Sequence, residues 1–190
     1  MKILGIMGSP RIKGNTDLLL DEALRGAREE GAEVEKLAVD KLKIAPCKEY
    51  YGCLKDGNCV IRDDMDAVYL KLLEADGIIV ASPMFFYGIS AQLKALIDRC
   101  QALWARRYVL KTLAESGKKG AFIGVGATRG QHLFEGSILT IKYFFQAFGM
   151  KYVDELLVRG VDKKGEIKEH PTALAEAYSL GKRLAQKIGQ

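Results

Sequence analysis

Short apolar runs alternate along this chain with segments whose apolar residues recur at helical spacing, and that alternation restricts it to few architectures. Lys2 to Met7 is an apolar run ending in a glycine turn and reads as a buried strand. Thr16 to Glu30 places Leu19, Leu20, Ala23, Leu24 and Ala27 on one helical face, and Gly31 stops it as a residue tolerant of the left-handed conformation. Glu33 to Ala38 reads as a second, partly exposed strand, followed by an irregular stretch from Val39 to about Arg62. Asp63 and Asp64 open a helix with Met65, Val68, Tyr69 and Leu72 on its apolar face, acidic residues suiting the positive end of its dipole. Strands over Gly77 to Ser82, Lys119 to Val125 and Tyr152 to Val158 are separated by helical stripes: Ile89, Leu93, Leu96, Ile97 and Cys100, then Phe134, Ile138, Ile141, Phe145 and Phe148. Ala173, Ala177, Leu180, Leu184 and Ile188 mark a closing helix.

Five strands alternating with helices predict a parallel α/β sheet covered on both faces, because parallel strands need helical crossovers and bury both sides. The 190 residues, 48% of them hydrophobic, carry no composition shift, so one domain over 1–190 is expected. No apolar stretch approaches a bilayer span, and the N-terminus lacks the long apolar core and cleavage site of a signal peptide, so a cytoplasmic location without membrane attachment is expected. The net charge of +5 is scattered over pairs such as Lys118-Lys119, Lys163-Lys164 and Lys182-Arg183, not drawn into a basic stripe, which argues against nucleic acid.

In such sheets ligands bind beyond the carboxyl ends of the strands, where strand order reverses, which directs attention to the loops after the first, third and fourth strands. The first, Gly8 to Thr16, has two glycines for tight turns, donors on Ser9, Asn15 and Thr16, Thr16 at an expected N-cap, and Arg11 near the helix start. It suits a phosphate, although a plain strand-to-helix turn fits the spacing too. The second, Ser82 to Lys94, sends Phe85, Phe86 and Tyr87 out of a buried strand. They suit a flat aromatic ligand, or packing under neighbouring helices, or a dimer contact. The third, Gly124 to Gly130, is built of small residues that let backbone approach a ligand.

Gly8-Ser9-Pro10-Arg11 with Gly14-Asn15-Thr16, Cys59 to Met65, and Ser82-Pro83 through Ala91-Gln92-Leu93-Lys94 with Ile97-Asp98-Arg99 occur in this order. Together they resemble the NAD(P)H-dependent FMN reductase and iron–sulfur flavoprotein group of the flavodoxin-like superfamily, a likeness reaching to about Val158. The resemblance implies a flavodoxin-like three-layer sandwich with a five-stranded parallel sheet in the order 2-1-3-4-5. It implies FMN, with Ser9, Arg11, Asn15 and Thr16 at its phosphate. Pro83, Met84, Phe85, Phe86, Tyr87 and Gly88 would lie against the ring, and Gly126, Ala127 and Thr128 near its far edge. Family members usually carry Tyr where Phe85 stands, which removes a hydroxyl and leaves stacking.

Three of the four cysteines cluster, at Cys47, Cys53 and Cys59. Iron–sulfur flavoproteins carry Cys-x-x-Cys-x-x-Cys and a fourth cysteine shortly after; here Tyr50 stands at the second position. A [4Fe–4S] cluster ordinarily takes four thiolates. Cys100 falls on a core stripe, and a zinc site would lack a ligand unless His132 or His170 came near. The expectation is therefore no metal and no cluster, with the cysteines acting as packing residues or reactive thiols. The expected activity is an FMN oxidoreductase reduced by NADH or NADPH and serving a small-molecule or protein acceptor. The alternatives are an electron carrier reduced by a partner protein and a phosphate-ligand binding module without flavin. Gln101 to Gly117, with Trp104, Arg106, Arg107 and Tyr108, suits a homo-oligomer interface, and ordinary core packing nearly as well; a homo-oligomer is expected.

Overall fold

In the computed structural model, which describes residues 1–189, β1 (Lys2–Met7) lies between β2 (Glu33–Ala38) and β3 (Gly77–Pro83). Strands β4 (Lys119–Gly126) and β5 (Lys151–Arg159) continue the sheet beyond β3. Every neighbouring pair is parallel, and the order is β2-β1-β3-β4-β5, as in flavodoxin-like folds.

The period-two alternation of the strands sorts the core into two layers. Ile3, Met7, Ile79, Ala81, Ala121 and Ile123 pack with Leu19, Leu20, Ala23 and Leu24 of α1 (Asn15–Glu29) and with Ala177, Leu180 and Leu184 of α7 (Ala173–Ile188). Leu4, Ile6, Ile78, Val80 and Phe122 turn the other way. They meet Met65 and Leu72 of α3 (Met65–Glu74), Leu93 and Leu96 of α4 (Ala91–Arg99), and Ile141, Phe144 and Phe145 of α6 (Glu135–Ala147). Among the described residues no helix is long and apolar enough to cross a membrane.

Several local expectations change. Helix α1 begins at Asn15, so Thr16 is a buried helical residue and not the cap; extended Gly14 holds that position with no capping side chain. Ile89 precedes α4, whose cap is Ser90: its hydroxyl oxygen accepts the Leu93 N–H at 3.2 Å. Phe134 and Phe148 flank α6 as cap residues and are still buried. The stretch after β2 is more ordered than its sequence suggests. It contains a 3-10 turn at Val39–Lys41 and the one-turn helix α2 (Cys53–Asp56). Beyond α4 the chain forms α5 (Gln101–Trp104) and a π-helical turn over Ala105–Val109.

One buried ion pair ties the β2–α3 loop to α4. Arg99 Nη1 donates to Asp63 Oδ2 at 2.6 Å and to the Ala45 carbonyl at 2.9 Å, while Nη2 reaches the Ile61 carbonyl at 3.0 Å. Asp63 also accepts the N–H groups of Ala45 and Met65, and Asp64 that of Lys43, so both aspartates hold the loop against α3. Burial opposes the Asp63 charge, but Arg99 and the two amides hold its carboxyl below the ordinary value. Its contribution to stability is complete above the unfolded value of about 3.9 and is lost as pH falls through the lower folded value.

Asp63→Asn is therefore expected to lower unfolding free energy near neutral pH by about 3 kcal/mol, because it leaves a buried guanidinium without its counter-charge. Urea titrations across pH should also show a flatter acid limb than in the parent protein. A second site tests the close approach of α1 to α7. A Cβ on Gly181 would stand 1.7 Å from the Ala23 carbonyl oxygen, and one on Gly26 2.1 Å from that of Tyr178. Gly181→Ala is expected to cost about 2 kcal/mol in urea unfolding, since the obstructing atoms are backbone.

Candidate functional site

With β2 on one side of β1 and β3 on the other, the chain leaves β1 toward α1 and leaves β3 toward α4, on opposite faces of the sheet. A crevice opens at that switch. The two loops are fastened across it. Gly8 N–H donates to the Ala81 carbonyl at 2.8 Å, and Ser90 Oγ donates to the Gly8 carbonyl at 2.5 Å. Ser82 Oγ accepts the Ser90 N–H at 3.1 Å. A Cβ on Gly8 would meet Leu93 Cδ2 at 2.9 Å, so this glycine serves packing on α4.

The loop from Ser9 to Gly14 turns back on itself. Ser9 Oγ accepts the Arg11 N–H at 3.1 Å, and Gly14 N–H donates to the Arg11 carbonyl at 3.0 Å. Lys13 is left-handed, with φ +56°, and its N–H donates to Asp17 Oδ2 at 2.7 Å, while Lys36 pairs with the other Asp17 oxygen. With no side chain capping α1, the first-turn N–H groups of Asn15, Thr16 and Asp17 have no partner of the helical i−4 kind. The positive end of a fifteen-residue helix, the Ser9 hydroxyl and the Arg11 guanidinium make a donor set that fits a phosphate.

Asn15 plays a different part from the one its position suggests. Its Nδ2 donates to the Lys163 carbonyl at 2.9 Å and its Oδ1 accepts the Ile167 N–H at 3.2 Å. The side chain is thus spent on the loop between β5 and α7, and only its backbone N–H is left for an anion.

The aromatic loop is a tight hairpin. Phe85 and Gly88 exchange both N–H···O bonds at 2.9 Å, leaving Phe86 and Tyr87 as the two turn residues, with φ +48° and +62°. That conformation is ordinarily supplied by Asn-Gly, and bulky residues adopt it only under constraint. Phe86 is fully exposed, at 104% of its reference area, and Phe85 and Tyr87 are about half exposed. The hairpin therefore does not pack under neighbouring helices within this chain. Tyr87 reaches the β4–α6 loop, where a Cβ on Gly130 would lie 2.3 Å from its hydroxyl.

Ser9, Arg11, Asn15, Thr16, Pro83, Met84, Phe85 and Ala127 line one cleft. Phe86, Tyr87, Gly88, Gly126 and Thr128 do not. Gly126 points inward, since a Cβ there would meet Leu133 Cδ2 at 2.5 Å, so its smallness serves packing on α6's approach and not a ligand. The cleft also takes Val161, Asp162 and Lys164 from the loop after β5, which the sequence reading did not include. The Lys163-Lys164 pair just past a predicted strand was the available signal. The cleft is narrow, with a volume of about 90 Å³.

A larger space, about 730 Å³, lies at the β2–α3 loop, where Cys47, Cys53 and Cys59 face it together with Tyr50. Burial pushes the Cys53 thiol up, and the neighbouring Cys59 and Cys47 add to the effect. Cys100 is elsewhere: buried in the core, with Sγ against the Leu96 carbonyl. His132 pairs with Glu135, and His170 Nδ1 accepts the Ala173 N–H at the start of α7, so neither approaches the cysteines. Complete ligation of a [4Fe–4S] cluster needs four thiolates, and three face this cavity.

With these sites located, comparison with known proteins is informative. The profile of the NADPH-dependent FMN reductase family matches residues 1–159. An iron–sulfur flavoprotein of Methanocaldococcus jannaschii is 39% identical over 197 aligned positions, covering 99% of this chain and 97% of the relative. One from Methanosarcina thermophila is 40% identical, covering 82% of this chain and 78% of its own. Among solved structures, an NAD(P)H:quinone oxidoreductase from Methanothermobacter marburgensis superposes with a TM-score of 0.74 at 18% identity, covering 97% of this chain and 96% of its own, which is a likeness of fold. The phosphate-suited turn, the switch-point crevice and the family match agree, and this chain belongs to the NADPH-dependent FMN reductase family.

Proposed function

We propose that this FMN oxidoreductase is reduced by NADH or NADPH and passes electrons to a quinone, a second flavin or a protein acceptor. The observation that carries the reading is the convergence of the uncapped start of α1 and the aromatic hairpin on one edge of the sheet. When bound, FMN itself supplies the redox chemistry. The chain's part is to hold and orient it. Ser9 Oγ, the Arg11 guanidinium, the Thr16 hydroxyl and the first-turn amides take the phosphate, with Asn15 contributing its backbone N–H while its side chain braces the β5–α7 loop. Pro83, Met84 and Phe85 form one wall for the ring, with Phe86, Tyr87 and Gly88 extending it outward and Ala127 and Thr128 at the far edge, while Gly126 packs against Leu133. Exposed Phe85 and Phe86 leave an apolar face on which a nicotinamide can stack.

Two further readings have specific support. Trp104, Leu139 and Tyr143 are large, exposed side chains on α5 and α6, which suits assembly into a homo-oligomer. The four cysteines are free thiols, which suits a reducing, cytoplasmic location in one flavodoxin-like domain over 1–190. We also read the loop of Cys47, Cys53 and Cys59 as holding no metal and no iron–sulfur cluster, on the strength of Tyr50. The second functional reading, an electron carrier reduced by a partner protein, is favoured by the complete exposure of Phe86, a ready docking contact.

Stopped-flow mixing of FMN-loaded protein with NADH and with NADPH separates the two. Bleaching of the flavin band with either supports the oxidoreductase; flavin that stays oxidised with both, yet is reduced by dithionite, supports the carrier. Arg11→Ala is expected to weaken FMN about tenfold or more in a fluorescence-quenching titration, as loss of a charge-assisted contact should, with thermal stability unchanged. Asn15→Ala is expected to act the other way round on stability, lowering unfolding free energy by about 1–3 kcal/mol through the orphaned Ile167 and Lys163 backbone groups.

A further inference from the structure

Arg107 comes from the π-helical turn and lies against the start of β5, whereas the flavin cleft is at the opposite, carboxyl ends of the strands. Its side chain is only 18% exposed. Nε is fully enclosed and has no hydrogen-bond partner among the described residues. Nη1 lies over Gly149, where a Cβ would stand 2.7 Å from it and 2.9 Å from the Ala114 carbonyl oxygen, and where φ is +81°. The Tyr108 ring supports the guanidinium from the side, 5.4 Å from Cζ to centroid. A guanidinium keeps its charge and offers five N–H donors, and enclosed donors are ordinarily paired. The chain therefore builds a seat for this cation without supplying it a matching acceptor.

Arg107 opens on a cavity of about 510 Å³ that it shares with Lys142, Gln146, Lys151, Tyr152 and Glu115. Lys142 and Gln146 stand one turn apart on α6 and so present the same face. Lys142 Nζ lies 5.2 Å from the centre of the Tyr152 ring, and Lys151 is the first residue of β5. Glu115 is the one acid of this lining. Its carboxylate sits between two of the cations, 3.8 Å from Arg107 Nη2 and 3.9 Å from Lys151 Nζ. Both separations exceed hydrogen-bond length, and the Glu115 side chain is 59% exposed. A single anionic group can thus address Arg107 and Lys151 together, and the carboxylate already there does so loosely. Three cations against one carboxylate leave the pocket positive. The neighbouring Arg106 is engaged elsewhere, donating to the Gly57 carbonyl and to Asn58 Oδ1, both at 2.8 Å.

We propose that the pocket formed by Arg107, Lys142 and Lys151 is a second anion site, which takes a multiply charged phosphate, free or esterified, at the end of the sheet remote from the flavin. The planar fork of Arg107 suits two phosphate oxygens at once, and the lysines act as point charges on either side. The Gln146 amide adds a neutral donor on the same wall. Glu115 is the group the ligand displaces, so it opposes binding and does not take part in it. A lone carboxylate ligand would leave most of this charge unanswered, which is why the pocket favours phosphate.

The test is calorimetric titration of the full chain with pyrophosphate in saturating FMN, which keeps the probe out of the cleft at α1. One pyrophosphate per chain is expected. Lys142→Ala/Lys151→Ala should weaken it about tenfold or more while FMN binding, which shows that the variant is folded, stays as in the parent. Arg107→Lys keeps the charge, removes the fork and should also weaken it. Glu115→Gln should tighten it about threefold, a gain that damage to the fold would not produce. Glycerol phosphate, titrated in parallel, separates the sources: binding as tight as that of pyrophosphate points to an ester, weaker binding to the inorganic anion. Equal pyrophosphate binding by the parent and the double-lysine variant overturns the proposal, as does weaker binding by Glu115→Gln. FMN binding is read separately, so failure here leaves the flavin reading standing.

Discussion

Gly8 sets the relation between the two halves of the carboxyl edge. Having no side chain, it leaves room for Leu93 and the Ala81 carbonyl, which would both stand about 3 Å from a Cβ there, and its own carbonyl takes the Ser90 hydroxyl. One residue thereby joins the end of β1, the end of β3 and the cap of α4. The uncapped start of α1 and the aromatic hairpin are held at a fixed separation because the loops that carry them are pinned at this point. Parallel pairing brings the strand ends to one edge, and this contact turns an edge into a cleft.

The loop after β2 is fixed by a different means. It has few apolar side chains to bury, and its shape rests on two arginines that reach into it from α4 and the π-helical turn. Charge-assisted bonds to backbone carbonyls replace the hydrophobic contact that holds the rest of the molecule. This explains how a stretch that reads as irregular keeps a defined cavity, and why so much depends on Arg99, which is completely enclosed.

The elements most legible in the sequence are those with a single dominant cause. The central strands β1, β3 and β4 are apolar on both faces, and all five strands end within about one residue of the expected bounds; α1 and α7 show their buried stripes openly. The phosphate-suited turn was readable because Gly8, Gly14 and the helix start are neighbours in sequence. What escaped detection depends on distant partners or on backbone conformation. Asn15 looks like an anion ligand until the Lys163 carbonyl, 148 residues away, is seen to occupy it. Lys164 and Asp162 join the cleft only because α7 folds back on α1. Phe86 and Tyr87 carry no local sign of a left-handed turn, since their residue types argue against one. Gly124 and Gly126 at the end of β4 resemble part of a ligand loop, and their neighbours Phe134 and Leu133 show that they make room for the approach to α6.

The hairpin at Phe86 and Tyr87 has a bearing on how this surface can change over time. A turn of this shape is relaxed by asparagine and glycine, and each such replacement would remove an aromatic ring from the rim. Folding ease and ring area are thus drawn from the same two positions and pull in opposite directions. A lineage that loses its need for a flat partner here should drift toward small, flexible residues, whereas one that keeps the rings must go on tolerating the backbone they impose.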